Sequence, residues 1–538
     1  MTSRISISAS LLKTAAVALA LCTTACNAWL SEPNPASTEL KDFFTSGTAC
    51  EQAVNGCYSP LQYEYNDTYF SEWFIGDIAS DDALKGGQNV SDNPDAYDID
   101  NFKTNANNVI LRDYYRAKYL GIIRCNLVLR EVAAYEPDET LSESKRDRLL
   151  GEANFLRALY YFQLVRVFGG VPLIHDVIDS SERWLQPRAS VSEVYESIIS
   201  DLTLAEQRLW ERADYPDEDL GRATRGAAIA LLCKAYLYNK DYENAYLWGK
   251  RFVDEQYLTG RYSLLPDVTA LFSIANENNC ESVFEIQYTA DPTGDYGEGF
   301  GFTRGTFSSR LLRPRMSALA LRGGWGFDHP THDLYNEFEA GDPRRESAIG
   351  VPDAESALEA EVNYLGSPYY NNKLSYTEQG TFPELAHDAR GPLNYPLIRT
   401  ADVLLLYAEA ALESGLDPAA AKWALEEVRS RARACSADPD ALPAFPAYRG
   451  YTDTPESLRE AIRHERRVEL AMEGHRWFDI TRWGIAANLL NKNTGSYASA
   501  ENEDVRAEMA LFTEGKHELF PIPSEEIILN PMEQNPGY

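Results

Sequence analysis

The chain has 538 residues, 44% of them hydrophobic and 25% charged, a globular usage that excludes a disordered or collagen-like polymer. Its 50 Lys and Arg stand against 82 Asp and Glu, a net charge of −32. A surface that negative repels a phosphate backbone, so nucleic acid is not expected as a partner.

The N-terminus reads as an export signal. Arg4 and Lys13 accompany the apolar run Ala15 to Cys22, which is too short to span a bilayer. Thr23-Thr24-Ala25-Cys26 follows, and a small residue before a cysteine at this place resembles a bacterial lipoprotein signal, although such signals prefer an aliphatic residue where Thr23 stands. Cleavage there removes residues 1–25 and leaves Cys26 as a lipidated N-terminus. The alternative is a plain secretory signal with an incidental cysteine. Residues 26–538 are expected to form one domain, with no later run that reads as a membrane span. Cys50, Cys57, Cys125, Cys233, Cys280 and Cys435 are scattered without a CxxC, so zinc is not expected and buried free thiols are.

Apolar residues then recur at helical spacing over 43–61, 109–134, 142–168, 191–209, 224–238 and 242–255. The stretch Tyr262–Leu397 is rich in Gly, Pro and aromatics with only short apolar runs such as Ser282–Tyr288, and reads as loops, a few strands and short helices. Helical spacing resumes over 401–414, 418–433, 455–473 and 476–490. Short turns such as Asn239-Lys240-Asp241 and Gly415-Leu416-Asp417 join the helices in pairs, the pattern of tetratricopeptide-like hairpins. The fold class is therefore mainly α: a helix-hairpin scaffold over about 40–261 and 398–538, carrying a loop-rich α/β insertion at about 262–397. Loops on a rigid scaffold are where binding is expected.

The most distinctive run is Gly151-Glu-Ala-Asn-Phe-Leu-Arg-Ala-Leu-Tyr-Tyr-Phe-Gln-Leu-Val-Arg-Val-Phe-Gly-Gly-Val-Pro-Leu-Ile174. With Gly221–Ala228, Ala235–Tyr238, Arg399–Ala410, Glu465–Trp483, Pro521-Ile522-Pro523 and Gln534–Tyr538, it resembles the SusD/RagB family of Bacteroidetes outer-membrane lipoproteins, in family order over nearly the whole chain. The resemblance implies a lipid-anchored protein exposed on the cell surface. Its role would be to capture oligosaccharide or polysaccharide and deliver it to a SusC-like TonB-dependent outer-membrane transporter, without catalysis and without a cofactor. Some members of the family hold a structural calcium, but no loop here has an ordered ligand pattern, and no metal ligands are assigned. A RagB-like capture of oligopeptides is the alternative within the family. A glycoside hydrolase is the alternative outside it, but it needs two carboxylates about 5–10 Å apart, and Asp81 and Asp82 are adjacent. His464-Glu465 starts like a zinc-protease motif, but Val468 stands where its second His is required.

Two regions could hold a glycan. One is Asp77–Phe102, with Asp81, Asp82, Gln88, Asn89 and Tyr97. The family places binding residues beyond the acidic pair, and Tyr97 stands in for its frequent Trp. Against this, Asp81-Asp82 could be a helix cap or a solvated turn. The other region is Tyr288–Phe327, with Tyr296, Phe300, Phe302, Phe307, Trp325 and Phe327 among many glycines, and Trp325 and Phe327 expected on an open loop. Trp325 and Tyr296 could instead plug that loop onto the scaffold. From Gly299 to Phe327 there are five Arg (Arg304, Arg310, Arg313, Arg315, Arg322) and no Asp, Glu or Lys. Guanidinium forks match carboxylates and sulfates, so an anionic glycan is one expectation, and pairing with acidic scaffold helices is the other. The alternating charges Glu465, Arg466, Arg467, Glu469, Glu473, Arg476, Asp479 and Arg482 are expected to form structural ion pairs.

Overall fold

The computed structural model describes residues 43–178, 185–291, 303–315, 324–351, 367–377, 383–438, 440–491 and 512–538. Cys26 and the export segment, and with them Tyr296, Phe300, Phe302 and Arg322, lie outside the described residues. Nine described helices exceed ten residues: α1 Gly47–Tyr58, α2 Val109–Ala134, α3 Glu143–Phe168, α4 Val191–Arg208, α5 Arg225–Tyr238, α6 Tyr242–Phe252, α7 Thr400–Glu413, α8 Pro418–Ala434 and α9 Pro455–Glu469.

Eight of the nine start where a short polar side chain accepts a hydrogen bond from an orphan N–H of the first turn: Ser46, Asn108, Ser142, Ser190, Thr224, Asp241, Asp417 and Thr454. Such caps contribute about 1 kcal/mol each. At Ser190 the Glu193 carboxylate closes the reciprocal box. The exception is α7, whose N-cap residue is Arg399. There the Thr400 N–H donates to the Glu281 carbonyl at 2.9 Å.

Helices adjacent in sequence pack against each other from α1 through α8, and α9 closes on α7 and α8. The array runs straight across the insertion, because α6 packs on α7. The protein is thus mainly helical with stacked, tetratricopeptide-like hairpins. Between Tyr262 and Leu397 the described chain carries only helices of six residues or fewer and short strands.

Six strands pair antiparallel in twos: β1 Ala83–Gly86 with β3 Phe327–Pro330, β2 Ser282–Ile286 with β6 Tyr395–Arg399, and β4 Ile349–Gly350 with β5 Tyr370–Asn371. β2 and β6 close the neck of the insertion, setting Ile286 opposite Tyr395. β1 and β3 join the two regions that the sequence marks as candidate sites, with Gly86 opposite Phe327.

The helix expected over 455–473 ends at Glu469. Met472 (φ 62°) and Gly474 (φ 75°) turn the chain sharply, and the Gly474 N–H donates to both oxygens of Asp77 at 3.0 and 2.9 Å. The helix expected over 476–490 is likewise two pieces, Arg476–Arg482 and Ala486–Leu489.

The alternating charges around this turn are buried and paired. Only part of the pairing stays within the two helices; most partners come from elsewhere. Arg466 takes Asp402 and Asp479, both at 3.0 Å. Arg344, Arg399 and Arg431 all reach Glu469. Of the cysteines, Cys50, Cys57, Cys125 and Cys233 are buried free thiols, whereas Cys280 is exposed, on the turn before β2. No described helix is long and apolar enough to cross a membrane.

Candidate functional site

The segment Tyr63-Glu-Tyr-Asn-Asp-Thr-Tyr69 builds one half of a surface shelf. Tyr65 and Tyr69 form an isolated antiparallel bridge, and the Asn66 N–H donates to the Thr68 carbonyl at 3.1 Å. Facing residues of such a bridge project to one side, and the two rings lie 5.0 Å apart. Buried Asp113 on α2 holds the turn by accepting from Asn66 Nδ2 at 3.2 Å and from the Asp67 N–H at 3.1 Å.

The other half comes from the insertion. Phe307 is buried and packs 5.8 Å from Tyr65 and 5.0 Å from Tyr69. Trp325 meets Tyr69 edge-on at 5.3 Å. Tyr65, Tyr69 and Trp325 remain partly exposed over the Phe307 base. The loop carrying Trp325 is pinned. The Gly324, Trp325 and Gly326 N–H groups donate to the carbonyls of Pro314, Arg310 and Arg313. A Cβ at Gly324 would lie 1.9 Å from the Arg313 carbonyl oxygen, so glycine serves close approach here and not openness.

Glu64 clamps the halves together. Its buried carboxylate accepts from Ser71 Oγ (2.9 Å), Ser308 Oγ (3.0 Å), Thr306 Oγ1 (2.7 Å) and the Phe307 N–H (2.8 Å). Burial raises its pKa, and these four donors oppose the rise. Beside the rings, Arg310 pairs with Asp388 at 2.8 Å. Burial, with Tyr65 and Asp388 nearby, pushes the Tyr69 phenol pKa up. Among the described residues neither the Tyr69 hydroxyl nor the Trp325 indole N–H meets a hydrogen-bond partner. The shelf therefore presents apolar ring faces and open polar atoms together, the combination that suits a ligand with both C–H faces and hydroxyls.

The structure sorts the residues expected at the site. Trp325 stands on the shelf, and Arg304 lines a neighbouring cavity. Asp81 and Asp82 are neither cap nor solvated turn. Asp81 is fully buried, with Arg476 at 2.7 Å and Arg467 at 3.1 Å, and Asp82 takes Arg467 at 2.8 Å. Burial opposes ionisation of Asp81, but the Arg467 and Arg476 guanidiniums hold its pKa far below the carboxylate range, while for Asp82 burial prevails and lifts it to about 6. Their oxygens are occupied by the scaffold and are not offered to a ligand. Tyr97 is also buried; Lys103 Nζ sits 4.9 Å over its ring and donates to its hydroxyl at 3.1 Å. Phe327, expected beside Trp325 on an open loop, is 1% exposed because its place on β3 turns it inward toward Phe74.

Arg310, Arg313 and Arg315 are engaged within the protein. Arg310 takes Asp388 and Arg315 takes Asp92, both carboxylates lying on loops and not on scaffold helices. Arg313 is buried among the carbonyls of Ser375, Tyr376 and Pro383, and burial, with Arg310 nearby, lowers its pKa to about 10. Tyr65 and Tyr69 were absent from the sequence expectations. Aromatics flanking Asn66-Asp67-Thr68 carry a hairpin signal that marks them.

The cavity that Arg304 lines has a volume of about 750 Å³ and lies between α1, the turn after it, the 218–222 loop and β2. Among the described residues no group of His, Cys, Asp and Glu is arranged to hold a metal.

Comparison with known proteins gives one consistent result. Residues 350–538 match the model of a family described as the SusD family. Residues 28–237 match one described as starch-binding associating with outer membrane. A solved laminarin-binding SusD-like protein is 30% identical and superposes with a TM-score of 0.73, covering 91% of this chain and 99% of its own. Surface glycan-binding protein A from Bacteroides fluxus is 25% identical, with a TM-score of 0.74 and the same coverage. A SusD-like protein of Formosa agariphila is 25% identical over 544 residues, 94% of each chain.

Proposed function

The chain belongs to the SusD/RagB family, and on that footing we propose that it is an outer-membrane surface protein that captures a neutral glycan on the Tyr65–Tyr69–Trp325 shelf and passes it uncleaved to a SusC-like TonB-dependent transporter. The observation that carries this reading is the shelf itself: three partly exposed rings over a buried fourth, with the Tyr69 hydroxyl and the Trp325 N–H without a hydrogen-bond partner among the described residues. A similar protein, 30% identical, is named for laminarin, a neutral glucose polymer. Engagement of Arg310, Arg313 and Arg315 within the protein favours a neutral ligand over an anionic one.

The engagement of two carboxylates beside the rings supports capture without cleavage. Glu64 is enclosed by four donors, and Asp388 is held by Arg310. Neither is placed as a lone acid beside a lone base, which hydrolysis of a glycosidic bond requires.

Calorimetric titration of the mature protein with laminarin, a matched sulfated or uronate polymer and a peptide pool tests the reading. Binding of the neutral glycan, with no new reducing ends, is expected. Binding of peptide alone, or release of sugar, overturns it. Anchoring is assigned to Cys26. Cys26→Ser is expected to move the protein from the membrane fraction to the soluble fraction, and retention in the membrane refutes an acyl anchor.

A further inference from the structure

A second space beside the shelf has no role in the reading above. Its volume of about 750 Å³ falls within the ~300–1,000 Å³ usual for small-ligand pockets. Leu61, Phe284 and Ile286 give it apolar walls. Its lining carries three Arg (Arg124, Arg222, Arg304) against three carboxylates (Glu218, Asp219, Glu285), so it has no net charge.

Several of these groups are already engaged. Asp219 holds Arg148 and Arg222 at 2.9 and 2.6 Å. Glu285 accepts from the Asn278 N–H at 3.0 Å and Asn394 Nδ2 at 3.1 Å. Others are not. Gln52 and Asn55 lie three residues apart on the exposed face of α1, and their amides meet no partner among the described residues. Arg124 donates to the Gly56 carbonyl and Ser59 Oγ and meets no carboxylate among the described residues. Amides both donate and accept, as sugar hydroxyls do.

The chain joins cavity and shelf twice. Tyr63 lines the cavity two residues before Tyr65, and Arg304 lines it three residues before Phe307. At ~3.3 Å per extended residue the linking segments are at most roughly 7–10 Å long, a span that an oligomer of a few sugar units can bridge.

Resting on the function proposed above, we propose that this cavity is an end pocket: it takes the terminal, uncharged sugar of the oligosaccharide whose body lies on the shelf, with Gln52, Asn55 and Arg124 meeting its hydroxyls. The protein then distinguishes chain ends and lengths, not only ring faces.

The test is calorimetry of the mature protein with a length series of β-1,3-linked glucose oligosaccharides, from two units upward. Affinity is expected to rise once the chain is long enough to occupy both places. Asn55→Trp, an exposed position where a bulky ring fills the mouth, is expected to weaken the longest oligosaccharides about tenfold and leave the shortest unchanged. A Gln52→Ala/Asn55→Ala variant, which removes the amides and fills nothing, is expected to weaken the long members in the same direction. Asn55→Trp binding every length as wild type does, or weakening all lengths equally, overturns the end pocket and leaves the shelf intact. Wild-type protein binding no member of the series overturns the glycan reading and the pocket with it.

Discussion

Glu469 receives guanidinium groups from three parts of the chain: Arg344 at 3.0 Å from the insertion, Arg399 at 2.7 Å from β6 and Arg431 at 2.5 Å from α8. All are buried, and although burial opposes it, the three cations hold the Glu469 pKa far below the usual carboxylate range. Replacing one member of such a set leaves uncompensated buried charge, so Glu469→Gln is expected to cost about 3–5 kcal/mol in denaturant unfolding. Its folded-state pKa lies below the unfolded value of about 4.3, so its contribution is present above that pH and is lost as pH falls below it. The wild type should therefore lose stability steeply below about pH 4, and the variant less steeply; parallel curves would refute the assignment. Trp325 and Phe327 should part in the same way. Trp325→Ala, at a partly exposed ring, is expected to reduce glycan affinity about 30-fold with little change in melting temperature. Phe327→Ala, at a buried ring, is expected to destabilise the protein by about 3–5 kcal/mol while the folded fraction still binds.

At the scale of elements, the shelf depends on a clamp that touches no ligand. Glu64→Leu should loosen the 64–72 turn from the 303–308 segment, weakening binding at all oligosaccharide lengths while the helical circular dichroism signal is kept. Unchanged affinity would show that the rings hold their places unaided. How far these elements are legible in the sequence follows from the range of the forces that make them. The long helices are plain because caps and apolar periodicity are local, as at Ser190 with Glu193. The ends at Glu469 and Arg482 are less so, because the helical pattern continues past them and tertiary contacts such as Asp77 with Gly474 make the turn. The pairing of Ala-Leu-Lys-Gly on β1 with Phe-Asp-His-Pro on β3 carries no local signal, since neither run alternates, and it alone turns Phe327 inward. Asp81 and Asp82 are legible as acidic but not as buried, because Arg467 and Arg476 lie almost four hundred residues away.

At the scale of the molecule, α6 meets α7 as neighbours, and the part of the insertion between β2 and β6 leaves and returns through that strand pair. The insertion is not an independent body, since its Arg344 and Lys373 reach Glu465, Glu469 and Glu473 at 2.6–3.0 Å. Scaffold and insertion should therefore melt in a single calorimetric transition, with tryptophan fluorescence and far-ultraviolet circular dichroism following the same curve. Two resolved transitions would show that the buried charges do not couple them. The narrow neck at Ile286 and Tyr395 also sets a rule for anyone wishing to redirect the protein to another cargo. A foreign recognition loop can be transplanted between those two strands without re-registering the helical stack, provided that the graft brings its own counterparts of Arg344 and Lys373, of the strand that pairs with β1 and of the donors that close on Glu64.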